Sequence, residues 1–169
     1  LDGPASGDGW KWRNFNGPSR AKRWGVQTDL LNRTVNPDTP MPAILVALNE
    51  RMRAAAPSLL AAFTATEANA IDYSKREGHH LGAHVDDRQL SGPLILNLSL
   101  AGDATMTYTH DRSRAPPVRV PLPRRSLQIQ SGEVRFSWQH GIHNADLPAD
   151  RRVSITFRQA PLSGTPRAA

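Results

Sequence analysis

The spacing of hydrophobic positions changes part-way along the chain. After Pro42, Ile44, Leu45, Leu48 and Met52 recur on one helical face, and Pro57 stops the run. A short apolar turn from Leu59 to Phe63 follows. Beyond it the period falls to two. Residues 68–73 read as a strand, and residues 80–86 as another after a turn at Gly78. The cleanest alternation runs from Pro93 to Leu100, with Leu94, Leu96, Leu98 and Leu100 on one face. Ile95, Asn97 and Ser99 take the other. Further strands are predicted over 104–109, 118–120, 126–130, 133–140 and 152–158. Residues 1 to about 40 show no such period and are polar, glycine-rich and dotted with tryptophan, an N-terminal arm or substrate lid. From Pro161 the chain reads as a disordered tail.

A short helical segment feeding about eight short strands predicts a mainly β protein with flanking helices (α+β). The expected architecture is a jelly roll or barrel with helices packed outside. No repeat or linker divides the 169 residues, so one domain is expected: arm or lid over 1–40, supporting helices over 41–66, β core over 67–160 and tail over 161–169.

Composition narrows the chemistry. With no cysteine, disulfides, thiolate metal sites and a cysteine nucleophile are excluded, so any metal must sit on histidine and carboxylate ligands. No apolar run approaches a membrane span and no signal peptide is visible, which predicts an intracellular protein, nuclear or cytoplasmic; a monomer is expected. The chain opens on Leu1 and reads as trimmed there. Its net charge of +6 suits a polyanionic partner and equally a solvated, arginine-rich surface. In the arm, Trp10 and Trp12 read as anchors to the core. Trp24 beside Arg23, inside a basic cluster, reads as substrate-facing.

The candidate chemistry starts at His84-Val85-Asp86. In an extended segment His84 and Asp86 share a face, two thirds of a facial triad for non-haem Fe(II). The strand predicted over 133–140 offers the third ligand. Val134, Phe136, Trp138 and His140 lie on its one face, so His140 points inward at its end. In the last strand Arg152, Ser154, Thr156 and Arg158 share one face, and Val153, Ile155 and Phe157 the other. That polar face belongs to a solvent-exposed amphipathic strand or to a polar interior; in the second case two arginines six residues apart could hold both ends of a dicarboxylate such as a 2-oxo acid, through charge-assisted bonds.

The motifs Asn69-Ala70-Ile71-Asp72-Tyr73, His84-x-Asp86, Pro123-Arg124-Arg125-Ser126-Leu127 through Trp138-Gln139-His140-Gly141-Ile142, and Arg152-x5-Arg158 together resemble the AlkB family of Fe(II)- and 2-oxoglutarate-dependent dioxygenases. The resemblance covers roughly residues 73–160, with its eukaryotic homologues the most similar branch. It implies a double-stranded β-helix (jelly-roll) core with an N-terminal helical and lid region. It also implies Fe(II) held by His84, Asp86 and His140, with 2-oxoglutarate and O2 as co-substrates. Arg152 would take the distal carboxylate of 2-oxoglutarate and Arg158 its metal-chelating end, with Tyr73, Asn69 and Ser154 as further contacts. The family commonly carries Asn two residues before this tyrosine, where Ile71 stands here, and often Asn at the position of Ser154. Arg23, Trp24 and Asp87 are the candidate substrate contacts. The implied reaction is oxidative demethylation of N-methylated DNA or RNA, releasing succinate, CO2 and formaldehyde. Methyl-lysine protein, or hydroxylation of a modified tRNA base, are the alternative substrates, and a catalytically inactive nucleic-acid-binding jelly roll is the alternative of a different class.

Overall fold

The computed structural model describes residues 1, 2, 9–14, 16–110 and 112–160. The expected tail from 161 lies outside them. The chain forms strands β1 (Lys11–Arg13), β2 (Ser19–Asp29), β3 (Thr34–Pro37), β4 (Glu67–Ser74), β5 (Leu81–His84), β6 (Ile95–Ala101), β7 (Ala104–His110), β8 (Val118–Leu122), β9 (Leu127–Gln130), β10 (Trp138–Ile142) and β11 (Arg151–Arg158). Helices α1 (Ala43–Ala55) and α2 (Pro57–Leu60) precede β4, and a third, α3 (Gly132–Ser137), precedes β10.

These strands make two antiparallel sheets, as a jelly roll requires. The larger runs β1-β2-β4-β11-β6-β9, with β3 paired to β2. The smaller runs β5-β10-β7-β8. Alternation along each strand of the larger sheet sorts its two faces. Trp24, Ala68, Ala70, Leu96, Ile155 and Phe157 form one core with Leu45, Met52, Leu60 and Phe63 from α1, α2 and the turn after them. The opposite parity (Arg23, Asn69, Asn97, Ser154 and Thr156 among others) lines a cavity of about 300 Å³ that β5, β7 and β10 also line. A second core of Tyr73, Ala104, Met106, Tyr108, Leu122, Ile142 and Leu147 ties the smaller sheet to β4. Among the described residues no helix is long and apolar enough to cross a membrane.

Five expectations change. The segment read as an arm is largely sheet: β2 is eleven residues long and pairs with β4 from Arg20↔Asp72 to Gly25↔Glu67. Its alternation was masked because polar residues, from Ser19 and Arg20 to Thr28 and Asp29, occupy most of its positions, so the pattern is one of burial and not of hydropathy. Trp24 faces the helices, at 2% exposure, and not a substrate. Residues 132–137 form α3 and not the start of a strand, which begins only at Trp138. Finally β5 ends at His84, so Asp86 sits in the following loop and not on a strand. Ile44, expected on the buried face of α1, is 67% exposed, and Leu45, Asn49 and Met52 are the buried positions.

Candidate metal centre

Two antiparallel strands bring the histidines together. His140 on β10 is the register partner of His84 at the end of β5, and their rings lie 4.4 Å apart between centroids. Gly141 permits that approach. A Cβ there would stand 2.9 Å from the Leu81 carbonyl oxygen. The Nδ1 of His84 lies 2.8 Å from the Gly82 carbonyl oxygen. A carbonyl only accepts, so Nδ1 carries the proton and Nε2 presents its lone pair to the cavity. Burial pulls the pKa of His140 down to about 4, leaving that imidazole neutral as a ligand must be.

Asp86 completes the group from the loop after β5. Its Oδ1 is 4.0 Å from His84 Nε2, and its Oδ2 is 3.8 Å from His140 Nε2. Both are too long for hydrogen bonds. All three donor atoms lie within 4.8 Å of one another. Ligands about 2.1 Å from one ion stand roughly 3 to 4 Å apart, so one ion can be shared with little adjustment. Arg158 Nη2 donates to Oδ1 at 2.8 Å, while Oδ2 is buried with no hydrogen-bond partner. A buried carboxylate oxygen left without a donor is costly, and a cation is the group that would satisfy it. Burial alone would raise the Asp86 pKa, but neighbouring positive charge, that of Arg158 first, outweighs it and brings it to about 2. Two imidazoles and one ionised carboxylate fit Fe(II).

A buried cation stands on the adjacent wall. Arg152 is 1% exposed. Its Nη1 donates to Ser154 Oγ at 2.7 Å, and its Nη2 to Asn97 Oδ1 at 3.3 Å and Ser99 Oγ at 3.4 Å. Among the described residues no carboxylate pairs with it, its Nε is buried without a partner, and burial lowers its pKa. A carboxylate ligand would supply the missing counter-charge. Tyr73, the register partner of Arg152, lies beneath it with 5.5 Å between guanidinium and ring centre.

The remaining candidates divide. Ser154 joins the Arg152 cradle. Asn69 does not: it accepts from Arg23 Nε at 3.2 Å and donates to Glu67, on the same cavity wall. Glu67 also lies 3.8 Å from Arg158. Asp87 lines the same cavity but stands outside the ligand group, and it pairs with Arg33 Nη1 at 2.6 Å. Asn97, Ser99, Thr156 and Glu67 are buried site residues that sequence reasoning missed. For Asn97 and Ser99 the signal was present, since they are the polar positions opposite the leucine stripe of β6.

The comparisons agree with this geometry. The family model described as the 2OG-Fe(II) oxygenase superfamily matches residues 18–158. The tRNA (carboxymethyluridine(34)-5-O)-methyltransferase ALKBH8 of Mus musculus is 31% identical over 128 residues, 73% of this chain and 18% of that protein. The alpha-ketoglutarate-dependent dioxygenase alkB homolog 4 of Homo sapiens is 28% identical over 129 residues, 59% of this chain and 42% of that one. The chain thus spans less than half the length of the curated relatives it matches. A solved structure of OsALKBH1 shares the fold with a TM-score of 0.63 at 16% identity, over 89% of this chain and 80% of that one. Oxygenases of the matched superfamily use Fe(II), 2-oxoglutarate and O2. A model match over most of its length, beside homologues of this one type, means that the chain belongs to the 2OG-Fe(II) oxygenase superfamily and, within it, to the AlkB family.

Proposed function

We propose that this domain oxidatively demethylates N-methylated nucleic acid. The observation that carries the oxygenase chemistry is one cavity holding both a ligand triad with an unsatisfied Asp86 oxygen and a buried Arg152 that, among the described residues, has no carboxylate partner. His84 Nε2, Asp86 Oδ2 and His140 Nε2 are the proposed Fe(II) ligands. Arg152, with Ser154, Asn97 and Ser99 orienting its guanidinium, takes the distal carboxylate of 2-oxoglutarate. Tyr73 packs under that pair. Arg158 keeps Asp86 Oδ1 occupied, so that the carboxylate offers the metal a single oxygen. Fe(II) with 2-oxoglutarate and O2 supplies oxidation of a substrate C–H bond coupled to release of succinate and CO2; on an N-methyl group the hydroxymethyl product loses formaldehyde. The chain's own share is to hold these groups in register and to keep water from them.

Nucleic acid as substrate rests on charge. The chain carries +6, and Arg13 and Arg23 both line the cavity. Burial and then the neighbouring Arg13 lower the pKa of Arg23, a strain that a phosphate would relieve. Hydroxylation of a modified tRNA base is the second reading, favoured by the similarity to ALKBH8, whose name places its own action on tRNA uridine 34. The test is succinate and formaldehyde release with methylated DNA, methylated RNA, tRNA and methyl-lysine peptides. Formaldehyde from an oligonucleotide is the expected result. Succinate without formaldehyde on tRNA would select the second reading, and turnover on peptides alone would overturn both.

A further inference from the structure

The loop that carries Asp86 has no ladder of its own. Between the end of β5 at His84 and the start of β6 at Ile95 no residue is in a strand or helix. Its backbone carbonyls are instead collected by one side chain. Arg135, in the middle of α3, is 2% exposed. Its Nη1 donates to the Asp86 carbonyl at 3.0 Å, and its Nη2 to those of Asp87 at 2.7 Å and Ser91 at 3.3 Å. Its Nε donates to the Gly92 carbonyl at 3.1 Å. The contact is reciprocal, because Arg88 Nε from the loop donates to the Phe136 carbonyl of α3 at 2.7 Å. The loop's own amides complete the fixture. Gln89 and Leu90 donate to Asp87 Oδ1 at 2.8 and 2.7 Å, and Gly92 donates to the Gln159 carbonyl at 2.8 Å.

We infer that Arg135 is a positioning residue for the metal centre, holding the 86–92 loop in its ligand-presenting shape before any metal arrives. This rests on the proposed assignment of Asp86 as a ligand. Burying a guanidinium costs desolvation that a plain core residue would not. The arrangement makes sense where it orders something else, and what it orders is the backbone on both sides of the link between Asp86 and Asp87. The two carboxylates are thereby given to different partners, Asp86 to the histidines and Asp87 to Arg33. The planar fork is what the task needs: four carbonyls in a loop can be met by a guanidinium and not by one ammonium. The same requirement gives a reason for the helix at 132–137, since it is this turn of chain that carries Arg135 to the loop.

The test is Mn(II) binding to the metal-free protein by calorimetry, wild type against Arg135→Lys and Arg135→Met, with circular dichroism as the control for folding. Loss of an outer-shell partner typically weakens metal binding by about 10- to 100-fold, and that is the expected loss for folded variants. A folded variant that binds Mn(II) within twofold of wild type would overturn the inference. Wild-type protein that binds no Mn(II) would sink the metal reading itself, and this inference with it. If neither variant folds, hydrogen exchange on metal-free wild type decides. Slow exchange at the Leu90 and Gly92 amides supports a loop ordered by Arg135; free exchange that slows only when Mn(II) is added would mean that the metal orders it.

Discussion

Asp86 divides the work of its two oxygens: Oδ1 accepts from Arg158, and Oδ2 faces His140 with no donor. His84→Ala would leave that oxygen with one imidazole for company, so succinate formation should cease and Mn(II) binding should weaken beyond measurement by calorimetry. Full 2-oxoglutarate turnover in that variant would rule out the ligand assignment. Arg152 gives a separate prediction. A hydrogen bond to a charged group contributes about 1.5–3 kcal/mol, so Arg152→Met should raise the 2-oxoglutarate requirement by roughly 10- to 100-fold. It should also abolish the rise in melting temperature on adding 2-oxoglutarate to the Mn(II)-loaded protein. For wild type that rise is about 5–10 °C at a hundredfold excess over Kd. An unchanged requirement would mean that Arg152 does not bind the co-substrate. At this scale the sequence was most legible. His84, Asp86, His140 and Arg152 all line the cavity, because their residue types and spacing encode donor chemistry directly. Asn97, Ser99 and Glu67 escaped because a buried polar residue looks like a surface one until something is packed over it.

Strand β2 shows what pattern alone misreads. Trp24 sits in a basic run and invites a substrate role, yet β2 is an interior strand of the larger sheet and Trp24 is on its helix-facing side. Trp24→Ala should therefore destabilise the fold by about 3–5 kcal/mol, read by denaturant unfolding. Trp12, 60% exposed, should tolerate the same change with little loss of stability. If Trp24→Ala left stability intact and impaired only substrate turnover, the core placement would be wrong. The tip between β2 and β3 is fastened across the chain by Arg33, which meets Asp87 and Gln89. That pair is partly exposed and contributes under about 1 kcal/mol to global stability. Arg33→Ala should accordingly leave the melting temperature almost unchanged while quickening proteolysis at residues 29–34. Equal cleavage rates would show that the tip is held by other contacts.

At the scale of the whole molecule, charge is the property that reaches furthest. If nucleic acid is the substrate, affinity for a single-stranded oligonucleotide should fall linearly in log–log form as salt rises. The slope should be near −0.7 for each phosphate neutralised. Affinity independent of salt would point to a peptide or another uncharged partner. The arginines available for this, Arg13 and Arg23, come from separate strands, and only the pairing of β1, β2 and β4 puts them on one cavity wall.

By itself the sequence determined the donor set, the period-2 core and the polar face of β11, because residue type and alternation act locally and survive without neighbours. The tertiary structure decided which way each amphipathic face turned. Ile155 and Phe157 pack on the helices and Arg152 and Arg158 face a cavity only because a second sheet closes over them. It also decided that 132–137 coils into a helix, since Arg135 finds its four carbonyls in a loop more than forty residues earlier. Long-range hydrogen bonds and burial leave no period in a sequence, and that is where local reading ends.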